Sequence, residues 1–164
     1  MIPEQRAVEL VTELLASRSS ALGIAAVEEH ELGWLVHLQS TEYSRTGDLL
    51  DQVIGQGPWL VDRDNGGVHE IPVVTYGGDW ARLYRTQIKG IQPPDPLLPA
   101  VRETLAAGGT AAAVRYVRER APQVPLPAAK AYVDAVRAGA EPEALVHEQP
   151  QEFLLPIGTL REGV

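Results

Sequence analysis

The sequence predicts an α+β protein: an antiparallel β-meander with flanking helices, followed after a proline-rich linker by a C-terminal helical extension. Three observations carry this reading. Between Glu4 and Ser17 the apolar residues recur at helical spacing. Between Leu22 and Pro72 they fall instead into short runs of branched and aromatic residues, separated by polar and glycine-rich segments. Ile91-Gln92-Pro93-Pro94-Asp95-Pro96 then interrupts the chain, because consecutive prolines remove amide donors and hold the backbone extended.

The first element is an amphipathic helix. Val8, Leu10, Val11, Leu14 and Leu15 share a face, Glu9 and Glu13 lie opposite, and Pro3 suits the first turn. Leu22 to Val27 and Gly33 to Leu38 read as two antiparallel strands around a polar turn at Glu28-Glu29-His30-Glu31. In the second strand Trp34, Val36 and Leu38 make one face apolar, and Leu35 and His37 make the other mixed. Ser40 to Asp48 has no period and is expected to be a surface loop, and Leu49 to Ile54 a short turn of helix. Gly55 to Pro72 is the firmest unit, a hairpin with Trp59 to Val61 and Val68 to Ile71 as strands and Asp64-Asn65-Gly66-Gly67 as its turn. Pro58 and Pro72 close it at both ends. Val73 to Tyr76 is expected to be extended, and Asp79 to cap a helix whose one face carries Trp80, Leu83 and Tyr84. Leu97 to Ala107, Thr110 to Ala121 and Pro127 to Ala138 read as three helices separated by Gly108-Gly109 and Pro122-Gln123-Val124-Pro125, and Phe153 to Ile157 as a short strand or docked segment. The resulting division is a domain over 1–90, a linker over 91–99 and an extension over 100–164.

Composition narrows the function. The 164 residues, 45% hydrophobic and 22% charged, suit one globular domain with an appended subdomain. The absence of cysteine removes disulfides, thiolate ligands and cysteine nucleophiles. A net charge of −8 opposes non-specific binding to nucleic acid and fits a basic protein partner. The acidity is concentrated in residues 1–90, with 7 basic against 13 acidic groups. The start of the chain has no signal-peptide pattern and no run is long enough to span a bilayer, so a cytoplasmic protein with no membrane partner is expected.

No catalytic motif is present: neither a nucleophile elbow, nor a phosphate-binding glycine loop, nor a His-Glu-x-x-His helix. Asp62-Arg63-Asp64-Asn65-Gly66-Gly67 has the opening of a calcium loop, but its closing glutamate position holds Val73, and the turn explains the same residues. His37 and His69, facing each other across neighbouring strands near Asp62, would be the raw material of a small hydrolase or metal site; a pair of strand residues is the plainer reading. The expectation is therefore a non-enzymatic protein without cofactor, metal or catalytic residues. The aromatics of the first module and the acidic knuckle at Glu28, Glu29 and Glu31 are the features suited to an interface. The candidate partner-binding set is Glu28, Glu29, Glu31, Glu42, Tyr43, Trp59 and His69, with Tyr43 expected to be exposed.

The first half of the chain resembles the immunity protein 35 family, also called YrhB-like. The resemblance rests on the Gly33-Trp34-Leu35-Val36 strand, the Gly55-x-Gly57-Pro58 corner, Val61-Asp62-Arg63 with its glycine turn, Val68-His69, and the helix near Asp79-Trp80. It implies a small α+β domain of bacterial polymorphic toxin systems that neutralises a cognate toxin by masking its surface; a chaperone-like or accessory role is the alternative. A weaker likeness links residues 110–138 to the helical hairpin of the ribosomal stalk protein's carboxyl-terminal domain, with Lys130 at the hairpin's lysine, although Gln123-Val124-Pro125 replaces the usual Gly-Leu loop. An alanine-rich helix pair packed through Val114, Val117, Val133 and Val136 accounts for the same residues. The partner's identity and the oligomeric state are not encoded in any motif.

Overall fold

The computed structural model describes residues 1–145 and 154–164. These form two compact units, one of residues 1–92 with 154–164 and one of residues 93–145. In the first unit, helix α1 (Glu4–Ser17) precedes strands β1 (Leu22–His30) and β2 (Gly33–Ser40). Helix α2 (Thr41–Thr46) and a 3-10 turn (Leu49–Asp51) lead to the hairpin of β3 (Trp59–Asp62) and β4 (Val68–Glu70). Helices α3 (Val73–Tyr76) and α4 (Trp80–Gln87) follow, and β5 (Gly158–Arg161) returns at the end of the chain. The sheet is antiparallel throughout, in the order β1-β2-β3-β4-β5.

Both faces of the sheet are covered, and the alternation of β2 decides which residue meets which layer. Val36 and Leu38, with Trp59, Val61 and Val68, pack against Ala7, Leu10, Val11 and Leu15 of α1. Leu35 and Leu60, with Ile71 and Ile157, pack against Trp80 and Tyr84 of α4. Two-sided burial explains why all four residues of β3 are buried. The hairpin turn is built as expected. Asp62 Oδ1 accepts from the amides of Asp64 (2.7 Å) and Asn65 (3.3 Å), and Gly66 takes φ 73°. The glycine of the Gly57-Pro58 corner has a steric cause, since a Cβ there would lie 1.7 Å from the Ile71 carbonyl oxygen.

Several local expectations are corrected. β1 runs on through Glu28, Glu29 and His30, so the reversal occupies only Glu31 and Leu32. Thr41–Thr46 is a helix and not a loop, because Ser40 Oγ caps it by accepting from the Tyr43 amide (2.9 Å) and Gly47 closes it at φ 70°. Val73–Tyr76 is a single helical turn and not extended; Thr75 is drawn inward, its hydroxyl donating to the Leu155 carbonyl (2.7 Å). Of the two readings of the run from Phe153 to Ile157, its described part takes that of a docked segment, with Ile157 buried among Leu60, Trp80 and Tyr84, and the terminal strand lies beyond it, at Gly158–Arg161, paired with β4 in the first unit. Of that run, Phe153 lies outside the described residues.

The second unit contains α5 (Leu98–Arg120) and α6 (Leu126–Arg137). Gly109, at φ 74° and ψ −175°, breaks α5 where the paired glycines predicted a boundary. Val101, Val114, Val117, Tyr132, Val133 and Val136 form its core. The linker residue Asp95 is tied into it, accepting from the Tyr132 hydroxyl (2.5 Å) and the Leu97 amide (2.9 Å).

Candidate functional site

The strand register divides the loops of the first unit between two ends of the sheet. Gly33 pairs with Asp62 and Val61 with Val68, so the β1–β2 and β3–β4 turns share one end. Val36 pairs with Trp59 and Trp59 with Glu70, so the α2–β3 connection and α3 share the other.

At the first end, the acidic knuckle is not bare. The Arg63 guanidinium donates to Glu29 (2.7 Å) and to the His30 carbonyl (2.9 Å) and lies over the Trp34 ring. Arg85 of α4 pairs with Glu31. Glu28 lies 3.5 Å from His37 Nε2. Two of the three candidate carboxylates are thus matched by cations brought from distant positions in the chain, which lowers the field they project.

Beneath this end lies a buried ionic group. Asp62 is 1% exposed. Its Oδ2 accepts from the Tyr84 hydroxyl and lies 2.5 Å from Lys89 Nζ, which also reaches Asp64 (2.9 Å). Burial works against ionisation of Asp62, but Lys89, Tyr84 and the Asp64 amide outweigh it and hold the carboxyl below its ordinary range. Burial and the same carboxylate push the Tyr84 phenol far up. Neither group is placed to exchange protons near neutrality.

His69 is 3% exposed, its Nδ1 3.1 Å from Thr159 Oγ1 and its ring edge-on to Tyr84 at 5.2 Å. Burial lowers its pKa below the ordinary 6.5, against the opposing pull of Asp62 and Glu162. The unfolded chain therefore takes up this proton before the folded one does. The contribution of neutral His69 to stability is complete above pH 6.5 and is lost as the pH falls through the lower folded value. The expected result is a melting temperature that declines on acidification from pH 6.5, and a shallower decline in His69→Gln, read by tryptophan fluorescence.

The expected juxtaposition of His37 and His69 does not occur. β3 lies between their strands: His69 is opposite Leu60, and Leu60 opposite Leu35. His37 instead stands edge-on to Tyr76, at 6.0 Å. Among the described residues no three His, Cys, Asp or Glu side chains are grouped to hold a metal ion. The remaining candidates separate by exposure. Glu42 is exposed and pairs with Arg45 (2.6 Å), Tyr43 is half-buried, and Trp59 is 4% exposed beneath Arg18. Trp59 and His69 are thus covered within their own unit, and Glu28, Glu29, Glu31, Glu42 and part of Tyr43 are the members that solvent reaches.

The opposite end carries what the sequence reading left unmarked. Leu49, Leu50 and Ile54 are 71%, 92% and 84% exposed, with Val53 beside them at 37%. Val73 and Val74 of α3 are also exposed. The available signal was four apolar residues among six, between two polar stretches, with no period that would bury them.

The fold and site define a small α+β domain whose buried ionisable groups tie α4 to β3 and β5 to β4, and which leaves Leu49, Leu50, Val53 and Ile54 exposed at one end of its sheet. Residues 5–83 match the family model Immunity protein 35, the family that the strand and turn motifs of this part of the chain resemble. The match spans α1 to β4, α3 and the first half of α4. No curated protein and no solved structure matches the chain. Among the described residues no helix is long and apolar enough to cross a membrane.

Proposed function

We propose that this protein is a non-enzymatic immunity protein that binds a cognate bacterial toxin in the cytoplasm and neutralises it by masking its surface. The observation that carries the reading is the family match over residues 5–83. The site supports it: Asp62, His69 and Tyr84 are buried and engaged with one another, whereas Glu28, Glu29, Glu31, Glu42 and the large apolar side chains of Leu49, Leu50 and Ile54 are left to solvent. Apolar anchors within a polar rim are the usual division of labour at a protein interface.

The test uses the intact chain as bait in its source cell. A captured protein is then expressed alone and together with the chain, and growth is followed. Arrest by the captured protein and restoration by the chain are the expected results. Failure to restore growth overturns the reading. So does suppression of heat-induced aggregation of an unrelated client such as luciferase at equimolar ratio without any stoichiometric partner, the behaviour of a chaperone.

A further inference from the structure

We propose that the connection between α2 and β3 is a pre-shaped apolar anchor, centred on Leu50 and Ile54, that enters an apolar cleft rimmed by lysine or arginine on the partner protein. The inference rests on the binding role above and names the surface and the partner's chemistry.

The segment inverts the usual arrangement of a surface loop: Asp48, Asp51 and the flanking Gln39, Ser40 and Thr46 bond to one another or to the loop backbone, and the apolar side chains are exposed to water. Asp48 Oδ1 accepts from the Leu50 amide (2.9 Å), and the Thr46 hydroxyl donates to Asp51 Oδ2 (3.2 Å). Ser40 Oγ donates to the Asp51 carbonyl (2.5 Å). The Gln39 amide clamps Val53 from both sides, Oε1 accepting from its N–H (2.6 Å) and Nε2 donating to its carbonyl (3.3 Å). Ser40 and Gln39 stand at the end of β2, so the loop is fixed to the sheet. A backbone held in this way has already given up the entropy that a flexible loop would lose on binding.

The cost on the other side is plain. Leu49, Leu50 and Ile54 gain little from the fold at 71%, 92% and 84% exposure, although each would contribute if buried. Charge then selects the occupant. Within residues 41–57 the acidic groups are Glu42, Asp48 and Asp51, and the single basic group, Arg45, is engaged with Glu42. This rim repels an anionic lipid surface and a second copy of itself, and it complements a basic rim around an apolar cleft.

A photoreactive benzophenone side chain at position 50 of the full chain, with position 126 as control, reads the contact in cells. Leu126 is also exposed, at 41%, and lies in the other unit. An adduct with one protein is expected from position 50 alone. That protein, purified, is titrated against the wild-type chain and against Leu50→Asp and Ile54→Asp, both of which should melt within 2 °C of wild type, as substitutions at exposed sites do. The expected loss of affinity is about 100-fold for each, with binding that weakens further as salt rises. Three results overturn the anchor: no adduct from position 50, an adduct with a second copy or partition onto phosphatidylglycerol vesicles, and affinities within threefold of wild type. A toxin neutralised equally well by Leu50→Asp defeats the anchor and leaves the immunity reading standing. A basic partner lost with Leu50→Asp that never arrests growth supports the anchor and defeats the immunity reading.

Discussion

Lys89→Met is expected to destabilise the first unit by about 3 kcal/mol at pH 7, the lower end of what removing one partner of a buried ion pair costs. Asp62 is 1% exposed and loses the ammonium group 2.5 Å from its Oδ2, keeping Tyr84 and the turn amides as its remaining donors. Those donors cannot neutralise a charge, so the penalty is that of an uncompensated carboxylate in a poorly polarisable site. The pH dependence identifies the cause. Lys89 helps hold the Asp62 carboxyl below its ordinary 3.8, and this stabilisation is present above that value and lost as the pH falls beneath it. The difference between wild type and Lys89→Met should therefore be full at pH 7 and shrink towards pH 3. Lys89→Met with Asp62→Asn should recover part of the loss, because the buried charge is removed together with its partner. Urea unfolding followed by tryptophan fluorescence is specific here, since Trp34, Trp59 and Trp80 all lie in the first unit. A difference under about 1 kcal/mol, or one unchanged at pH 3, would refute the assignment.

What could be read in the sequence was what repeats locally. Alternation at Trp34, Val36 and Leu38 gave the apolar face that α1 covers, and the Asp64-Asn65-Gly66-Gly67 turn gave the hairpin. Asp79 was legible as a cap, and its Oδ1 accepts from the Arg82 amide (3.1 Å). The losses have two physical sources. Short elements carry no period: α2 has six residues and owes its helix to the Ser40 cap and the Gly47 closure, and α3 has four, drawn from a branched run whose propensity favours a strand. Tertiary partners are invisible in spacing: Lys89 meets Asp62 across 27 positions, Arg85 meets Glu31 across 54, and Thr159 meets His69 across 90. The candidate set therefore named solvent-exposed carboxylates without their cations, and it included Trp59 and His69, whose burial depends on α1, α4 and β5 together. The apolar anchor was missed for the opposite reason. Leu49 to Ile54 is apolar enough to belong in a core, and only the polar clamps from Gln39, Ser40 and Asp48 turn it outward.

Ending the chain at Gln151 is expected to damage the first unit more than any single substitution above, even though the residues removed lie outside the family match. β5 is the fifth strand of the sheet, and without it β4 becomes an open edge. Ile157 is 3% exposed within the cluster formed by Leu60, Trp80 and Tyr84, and emptying such a site costs about 2–5 kcal/mol. Gln87 loses both of its bonds to the Ile157 backbone (2.7 and 2.9 Å), Thr75 loses the Leu155 carbonyl, and His69 loses Thr159. Against a typical stability of about 5–15 kcal/mol, the sum leaves the unit marginal. The second unit stands differently, because it is inserted between α4 and β5 in chain order and has its own core. The first unit leaves five residues after Gln87 and is described again three residues before Ile157, and Gln87 and Ile157 touch. A chain joining Gln92 to Leu154 through about eight glycine and serine residues can therefore close, since short flexible loops add little entropy cost. It should retain the tryptophan fluorescence and urea midpoint of the intact protein, whereas the chain ending at Gln151 should unfold at lower urea or aggregate through β4. Equal midpoints for the intact and shortened chains would show that β5 does not complete the sheet, and unfolding of the joined chain would show that the first unit depends on the inserted one.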